Sequence, residues 1–402
     1  MLRNVVVVGA SLAGLRAAET LRTGGFDGTV TLIGAEQHLP YDRPPLSKRV
    51  LGGELEHDDI HLRKPTEYGD LDLDVRLGQT ASGLDTSARE VTLAGGERLP
   101  YDGVILATGA TPRQIPGTPD LDGIYLLRTV EDSLALRADL DKEPGRVVVV
   151  GAGFIGAEVA ATARKRGLEV TILEALPVPL ARALGDHMGA ACAAVHADHG
   201  VEVRTNTGVD AIEGGARVER VRLSDGTMLD ADVVVVGIGV MPNTKWLEGS
   251  GLEIRDGVVC DAMLAAGPPG VYCAGDITRW PNKLFDEEMR VEHWTNAAEQ
   301  GAAAAKNLLM GEGNGEPYAP VPFFWSDQYD TRIQFVGRAH GDDEVRVVHG
   351  SVDERKFVAL YGRAGRLVAA LGMSLPKQLM PWRKALATRM SWDDALALAT
   401  AT

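Results

Sequence analysis

Val147-Val148-Val149-Val150-Gly151-Ala152-Gly153-Phe154-Ile155-Gly156 decides the fold. The run of β-branched residues predicts a strand. Three glycines spaced G-x-G-x-x-G break it, and an alanine-rich segment follows with no Pro or Gly until Gly167. The pattern reads strand, tight turn, helix. Gly151 permits the turn, Gly153 lets a pyrophosphate approach bare backbone, and Gly156 lets the helix pack close to the strand. The helix N-terminus then presents amides and a partial positive charge to phosphates. A second strand, Glu169 to Leu173, ends at Glu174, eighteen residues past Gly156. A carboxylate there accepts hydrogen bonds from a ribose 2′-hydroxyl and repels a 2′-phosphate. Gly151, Gly153, Phe154, Ile155, Gly156 and Glu174 are therefore candidate nucleotide-binding residues.

The hexapeptide Val-Val-Val-Val-Gly-Ala also stands at Val5 to Ala10. The chain therefore carries two dinucleotide folds. The first turn comprises Gly9, Ser11, Leu12, Ala13 and Gly14, with Ser11 in place of the middle glycine. A Ser Cβ crowds a phosphate, but its hydroxyl can donate to one. A helix from Leu12 to about Thr23 leads through Gly24-Gly25 to a strand, Thr29 to Ile33. Glu36 follows, twenty-two residues after Gly14, as the first ribose-binding candidate.

A chain of 402 residues suits two or three domains. Its 41 Lys and Arg against 56 Asp and Glu give −15, which argues against nucleic acid as the main partner. Cys192, Cys260 and Cys273 form no C-x-x-C and suggest buried, inert thiols in a reducing compartment. The first strand begins too early for a signal peptide, and no run of about 18 apolar residues exists to insert into a membrane. A cytoplasmic location is expected.

Further along, Leu39 to Lys48 is held by prolines, so Arg43 and Lys48 sit on constrained backbone. Arg76 to Gly109 reads as a β-meander closing on Val104-Ile105-Leu106-Ala107-Thr108-Gly109. A strand ending in small residues brings backbone close to a ligand at a sheet's carboxyl edge. The same holds for Val233 to Val236 followed by Gly237, Ile238 and Gly239, and for Val271 to Ala274 followed by Gly275 and Asp276. Glu292-His293-Trp294 opens a helix to about Met310. A Gly/Pro linker precedes strands at Ile333–Val336, Val345–His349, Lys356–Tyr361 and Leu367–Leu371, then helices. The expected class is α/β, with two Rossmann-like domains, one split by insertion of the other, and a C-terminal α+β domain. The boundaries are 1–111 with 241–316, then 112–240, then 317–402.

Two dinucleotide sites in one chain suggest hydride transfer between two cofactors. One is a nicotinamide; the other is most simply FAD, whose ADP half asks for the same fold. No Cys cluster could hold iron–sulfur. His196 and His199 stand at helical spacing, but no third ligand is evident, so no metal site is expected.

The Gly-rich turns, Tyr41-Asp42-Arg43-Pro44-Pro45-Leu46-Ser47-Lys48, Gly151 to Glu158, Tyr272 to Asp276, Arg290 to Trp294 and Phe324-Trp325-Ser326-Asp327-Gln328-Tyr329-Asp330 carry a resemblance. Together they resemble the NADH-dependent ferredoxin reductases of bacterial oxygenase and cytochrome P450 systems, over essentially the whole chain. The resemblance implies FAD contacts from Glu36, Arg43, Lys48, Ala81, Arg128, Asp276 and Trp294, and a catalytic pair, Lys48 with Glu158, beside the reacting flavin nitrogen. Glu292, His293 and Trp325 join the FAD candidates. The plain alternative for Glu158 is a helix acid favoured by the macrodipole; for Trp325 it is core packing. The implied reaction passes a hydride from NADH to FAD and single electrons on to a [2Fe–2S] ferredoxin, which feeds a P450 or Rieske-type oxygenase. Glu174 favours NADH over NADPH, although Arg182 lies eight residues on.

Two rival readings stand beside it. One is an NADH oxidase, peroxide reductase or disulfide reductase of the same superfamily; no Cys precedes Cys192 to serve it. The other is a non-enzymatic NADH sensor resembling apoptosis-inducing factor. An acidic ferredoxin would need a local basic patch on this acidic chain. Arg63, Lys64, Arg279, Lys283, Arg290, Lys377, Arg383 and Lys384 are candidates.

Overall fold

The structure, a computed structural model, describes residues 2–400, with the Arg182 side chain outside that description. The chain forms two compact units. One holds the residues up to Asp42, Ile60–Thr111 and Met241–Pro322. The other holds Arg43–Asp59, Pro112–Val240 and the residues from Phe323 on.

In the first unit, Asn4–Val8 pairs in parallel with Thr29–Ile33 on one side and Gly103–Leu106 on the other. Val271–Cys273 and Leu73–Arg76 complete a five-stranded parallel sheet. Val5 to Val8, Leu32 and Ile105 are all buried, as expected of strands covered on both faces. The expected meander is a separate three-stranded antiparallel sheet, Ala81–Asp85, Glu90–Leu93 and Arg98–Pro100. Ala81 is buried in the core. Helix Leu12–Thr23 lies against helix Trp294–Met310, and their contact depends on Gly301. A Cβ there would meet the Ala13 carbonyl oxygen at 2.2 Å.

In the second unit the same sheet recurs. Arg146–Val150 lies between Glu169–Leu173 and Val233–Val236, with Glu202–Arg204 and Ile124–Tyr125 at the edges, all parallel. Phe323–Gln328, Thr331–Gly337, Arg366–Met373, Lys356–Arg363 and Glu344–Ser351 form a five-stranded antiparallel sheet in that spatial order. Its first strand had not been expected. Leu184, Met188, Cys192 and Val195 of helix Ala181–Asp198 pack into one core with Phe335, Phe357 and Leu371 of that sheet.

Candidate functional site

Each Gly-rich turn is built by close approach of backbone. Gly9 has φ +122°, and a Cβ on it would fall 2.1 Å from the Ala107 carbonyl oxygen. Gly14 is tighter still, at 1.9 Å from the Gly9 carbonyl oxygen. Gly151 and Gly156 repeat the pair, against Gly237 and Gly151 at 2.5 and 2.1 Å. The middle position differs. A Cβ on Gly153 would meet nothing nearer than 3.8 Å, an ordinary contact. The fold itself therefore tolerates a side chain there, which is why Ser11 fits the first turn.

Both helices begin without a capping side chain and without an acid in the first turn. Helix Val130–Leu140, by contrast, opens with a full capping box from Thr129 and Asp132. The Gly-rich turns thus leave the helix N-termini without a side-chain cap of their own.

In the first unit four adjacent parallel strands end together. Their exits are Gly9, Glu36, the Ala107-Thr108-Gly109 run and Gly275-Asp276. Thr108 is fixed by Asn243, which accepts from its hydroxyl at 3.0 Å and donates to its carbonyl at 2.9 Å. Gly275, with φ +80°, donates its amide to Gln300 Oε1 at 2.9 Å. Tyr41 donates its hydroxyl to Glu36, and Trp294 Nε1 donates to Asp42 at 2.7 Å. Arg290 bonds the Asp276 carbonyl at 3.1 Å and pairs with Glu292 at 2.6 Å, and His293 is the N-cap of helix Trp294–Met310. The bare backbone, helix N-terminus and acid at the next strand end suit the ADP half of a dinucleotide, FAD included.

In the second unit Glu174 does more than was read from its spacing. Its Oε2 accepts from the Ala152 amide at 2.8 Å, and its Oε1 from Leu176 at 2.9 Å. It therefore holds the turn as well as standing at the strand end. Ile155 and Ile238 are large apolar residues left exposed beside Gly153 and Gly239. The Phe154 ring is committed elsewhere, packing on Phe324 with centroids 4.4 Å apart.

The Pro44-Pro45 turn, a 3₁₀ segment Pro44–Ser47, delivers Ser47 and Lys48 to helix Phe154–Lys165. Lys48 Nζ lies 2.7 Å from Glu158 Oε2, and Ser47 Oγ donates to the same oxygen at 2.5 Å. Ser326 Oγ takes the other oxygen, Oε1, at 2.7 Å. Glu158 is 3% exposed: it is a buried carboxylate with an ammonium partner. Thr162, one turn on, bonds the Ser47 carbonyl at 2.8 Å, and Ser133 the Leu46 carbonyl at 2.7 Å. Arg43 reaches the Arg128 carbonyl at 2.5 Å. Trp325 is half-buried and stacks on Phe323 at 6.0 Å.

His196 and His199 both go to Tyr329. His196 Nδ1 lies 3.0 Å from its hydroxyl, and the His199 ring stacks on its ring at 3.7 Å. Ser47, Thr162, Ser326, Gln328 and Gln300 were not read as site residues. The usable signal was Ser326 and Gln328, two polar residues on one face of a strand otherwise rich in aromatics.

Residues 3–301 match the family model described as pyridine nucleotide-disulphide oxidoreductase. The chain belongs to the pyridine nucleotide-disulphide oxidoreductase family. Residues 323–402 match a second model, reductase C-terminal. Rhodocoxin reductase of Rhodococcus erythropolis is 37% identical over 96% of this chain and 90% of its own length. The 5,5′-dehydrodivanillate O-demethylase ferredoxin reductase subunit of Sphingobium is 40% identical over 91% of this chain and 89% of its own. A crystal structure of the covalent putidaredoxin reductase–putidaredoxin complex superposes with a TM-score of 0.91 at 33% identity. That match covers 96% of this chain and 93% of the other. The chain is thus an oxidoreductase similar to ferredoxin reductases, as its motifs imply. Among the described residues no helix is long and apolar enough to cross a membrane.

Proposed function

We propose that this oxidoreductase is an FAD-dependent NADH:ferredoxin reductase, which takes a hydride from NADH and delivers single electrons to a [2Fe–2S] ferredoxin serving a cytochrome P450 or Rieske-type oxygenase. The observation that carries it is the duplicated strand–turn–helix cradle, Gly9 to Gly14 and Gly151 to Gly156, each followed by an acid at the next strand end. When bound, FAD supplies the conversion from paired to single electrons that the two partners require.

Within this reading the first cradle holds FAD. Gly9, Ser11, Leu12, Ala13 and Gly14 serve the pyrophosphate, Glu36 the adenosine ribose, and Gly275 and Asp276 the remaining linker. Arg43, Lys48, Arg128, Ala81, Trp294 and Trp325 complete its contacts. The second cradle takes NADH. Glu174 disfavours a 2′-phosphate, and Arg204 offers it no compensating charge, being held by Glu202 at 2.8 and 3.0 Å. Lys48, fixed by Glu158, supplies the positive charge that favours electron density at the hydride-accepting position. The proposed domains are 1–111 with 241–316, 112–240 and 317–402, except that Arg43–Asp59 packs within the second compact unit, and the three cysteines, all buried, fit a cytoplasmic protein. The relatives named above support the ferredoxin partner.

The test is reduction of cytochrome c by the purified yellow protein with NADH, with and without a [2Fe–2S] ferredoxin. A large ferredoxin-dependent rate is expected. A flavin left oxidised by NADH under anaerobic conditions would overturn the reading.

A further inference from the structure

Only one oxygen of the Glu158 carboxylate serves Lys48. The other is taken by Ser326, which is 0% exposed and stands in the strand Phe323–Gln328. Two residues on, Gln328 is 1% exposed, and its Nε2 donates to Ser326 Oγ at 3.2 Å. A hydroxyl has one proton to give. With an amide N–H filling a lone pair of Ser326 Oγ, that proton is turned to Glu158.

The arrangement has a cost. Gln328 Oε1 is a buried oxygen with no hydrogen-bond partner among the described residues. Buried polar atoms are nearly always satisfied, so an exception asks for a reason. The reason here is direction. Turning the amide over would give Oε1 a donor, but that donor is the Ser326 hydroxyl, and Glu158 Oε1 would lose it. Behind Gln328 stands His196, 2% exposed, its Nδ1 3.0 Å from the Tyr329 hydroxyl. Burial and the neighbouring His199 push His196 down to about 4, so it meets Gln328 as a neutral ring.

We propose that Ser326 and Gln328 are positioning residues for Lys48, acting through Glu158. The carboxylate torsion of Glu is broad and nearly two-fold, so an unclamped group would share Lys48 between its oxygens. Ser326 fixes Oε1 and leaves Oε2 to Lys48 and Ser47. The chain is a clamp and not a proton path, because the neutral Gln328 amide does not pass a proton on. The role assigned to Lys48 in turnover rests on the function proposed above; the clamp itself does not.

The test compares Ser326→Ala, Glu158→Gln and the double variant in the full-length flavoprotein, with two readouts. The first is acylation of Lys48 by acetic anhydride, followed by peptide mass spectrometry. Ser326→Ala is expected to speed it about tenfold, the size of one lost hydrogen bond to a charged group. It is expected to add nothing in the Glu158→Gln background, since residues acting as a unit are non-additive. The second readout is anaerobic flavin reduction by NADH. Ser326→Ala should slow it about tenfold with the NADH KM within about twofold of wild type, again without further loss in the double variant. Gln328→Met, which removes the orienting donor together with the buried Oε1, should move both readouts in the same direction by a smaller factor and covers the case in which Ser326→Ala does not fold. Unchanged Lys48 acylation in the single variants, or effects that simply add in the double, would overturn the proposal. Wild-type flavin untouched by NADH would overturn the function while Lys48 acylation still judged the clamp.

Discussion

The amide of Ala152 donates to Glu174 Oε2 over 2.8 Å, tying the acid at one strand end to the Gly-rich turn at the next. Replacing Glu174 therefore does two things. It frees the Ala152 and Leu176 amides and, on the function proposed above, removes the charge that repels a 2′-phosphate. Glu174→Ala should raise the NADH KM about tenfold, as expected for a lost charged hydrogen bond. It should also narrow the NADH-over-NADPH preference in kcat/KM by about tenfold or more. Steady-state kinetics with both nucleotides measures this. An unchanged preference would place discrimination elsewhere.

The cysteines give a second prediction. Burial pushes the Cys192 thiol up to about 12. Cys260 is raised well above the usual thiol range by its hydrogen bond with Cys273 and by burial. Neither Cys192 nor Cys260 presents a thiolate, the reactive form, at neutral pH, and Cys273 is buried out of reach of a reagent. Titration of the native protein with a disulfide reagent should find no fast-reacting thiol, before or after NADH is added, and all three after denaturation. A thiol exposed to the reagent by NADH would favour the disulfide-reductase alternative.

What could be read from the sequence was local. Helix Leu12–Thr23 and strands Thr29–Ile33 and Glu169–Leu173 fall where their patterns put them, because each is set by an apolar run and its adjoining turn. The strand Phe323–Gln328 escaped because Ser326 and Gln328 occupy its buried face, where alternation calls for apolar residues. Lys48 and Glu158 were paired by resemblance; nothing in their spacing joins residues 110 apart. Ser326 reaches Glu158 from 168 residues away. The donors that complete a buried carboxylate are gathered by tertiary packing; the polar pair Ser326 and Gln328 marks a strand face as unusual, but nothing local names Glu158 as its partner.

His196 makes stability depend on pH. Its ordinary value of 6.5 falls to about 4 through burial, then through His199. The unfolded chain binds a proton in that interval and the folded chain does not. Stability is therefore fully present above about 6.5 and is lost as pH falls towards 4. From pH 7.5 to 5 the loss due to this residue is on the order of 2 kcal/mol. His196→Gln should be less stable at pH 7.5 but should show a pH dependence flatter by about that amount in urea unfolding. Parallel pH profiles for the two proteins would exclude His196 as the source.

The basic candidates for ferredoxin docking divide on structural grounds. Arg279 is paired with Asp256 and Glu288, Arg290 with Asp256 and Glu292, and Arg63 with Glu19. Their charges are largely neutralised where they stand. Helix Pro376–Ala387 is different. Lys377, Met380 and Lys384 follow one another at helical spacing on its exposed face, and neither lysine makes an ion pair among the described residues. A net charge of −15 repels an acidic partner at long range, so a stripe of unspent positive charge with an apolar residue in its middle is the feature that favours contact. Lys384→Glu and Lys377→Glu should each raise the apparent KM for an acidic [2Fe–2S] ferredoxin about tenfold at low salt, and the wild-type advantage should shrink as salt rises. Reduction of ferricyanide, which needs no docking, should stay unchanged. Arg279→Gln should change the ferredoxin KM less than twofold or so, because it removes a charge already matched by acids. If Arg279→Gln had the large effect and the lysine reversals none, the docking face would lie in the first unit and not on this helix.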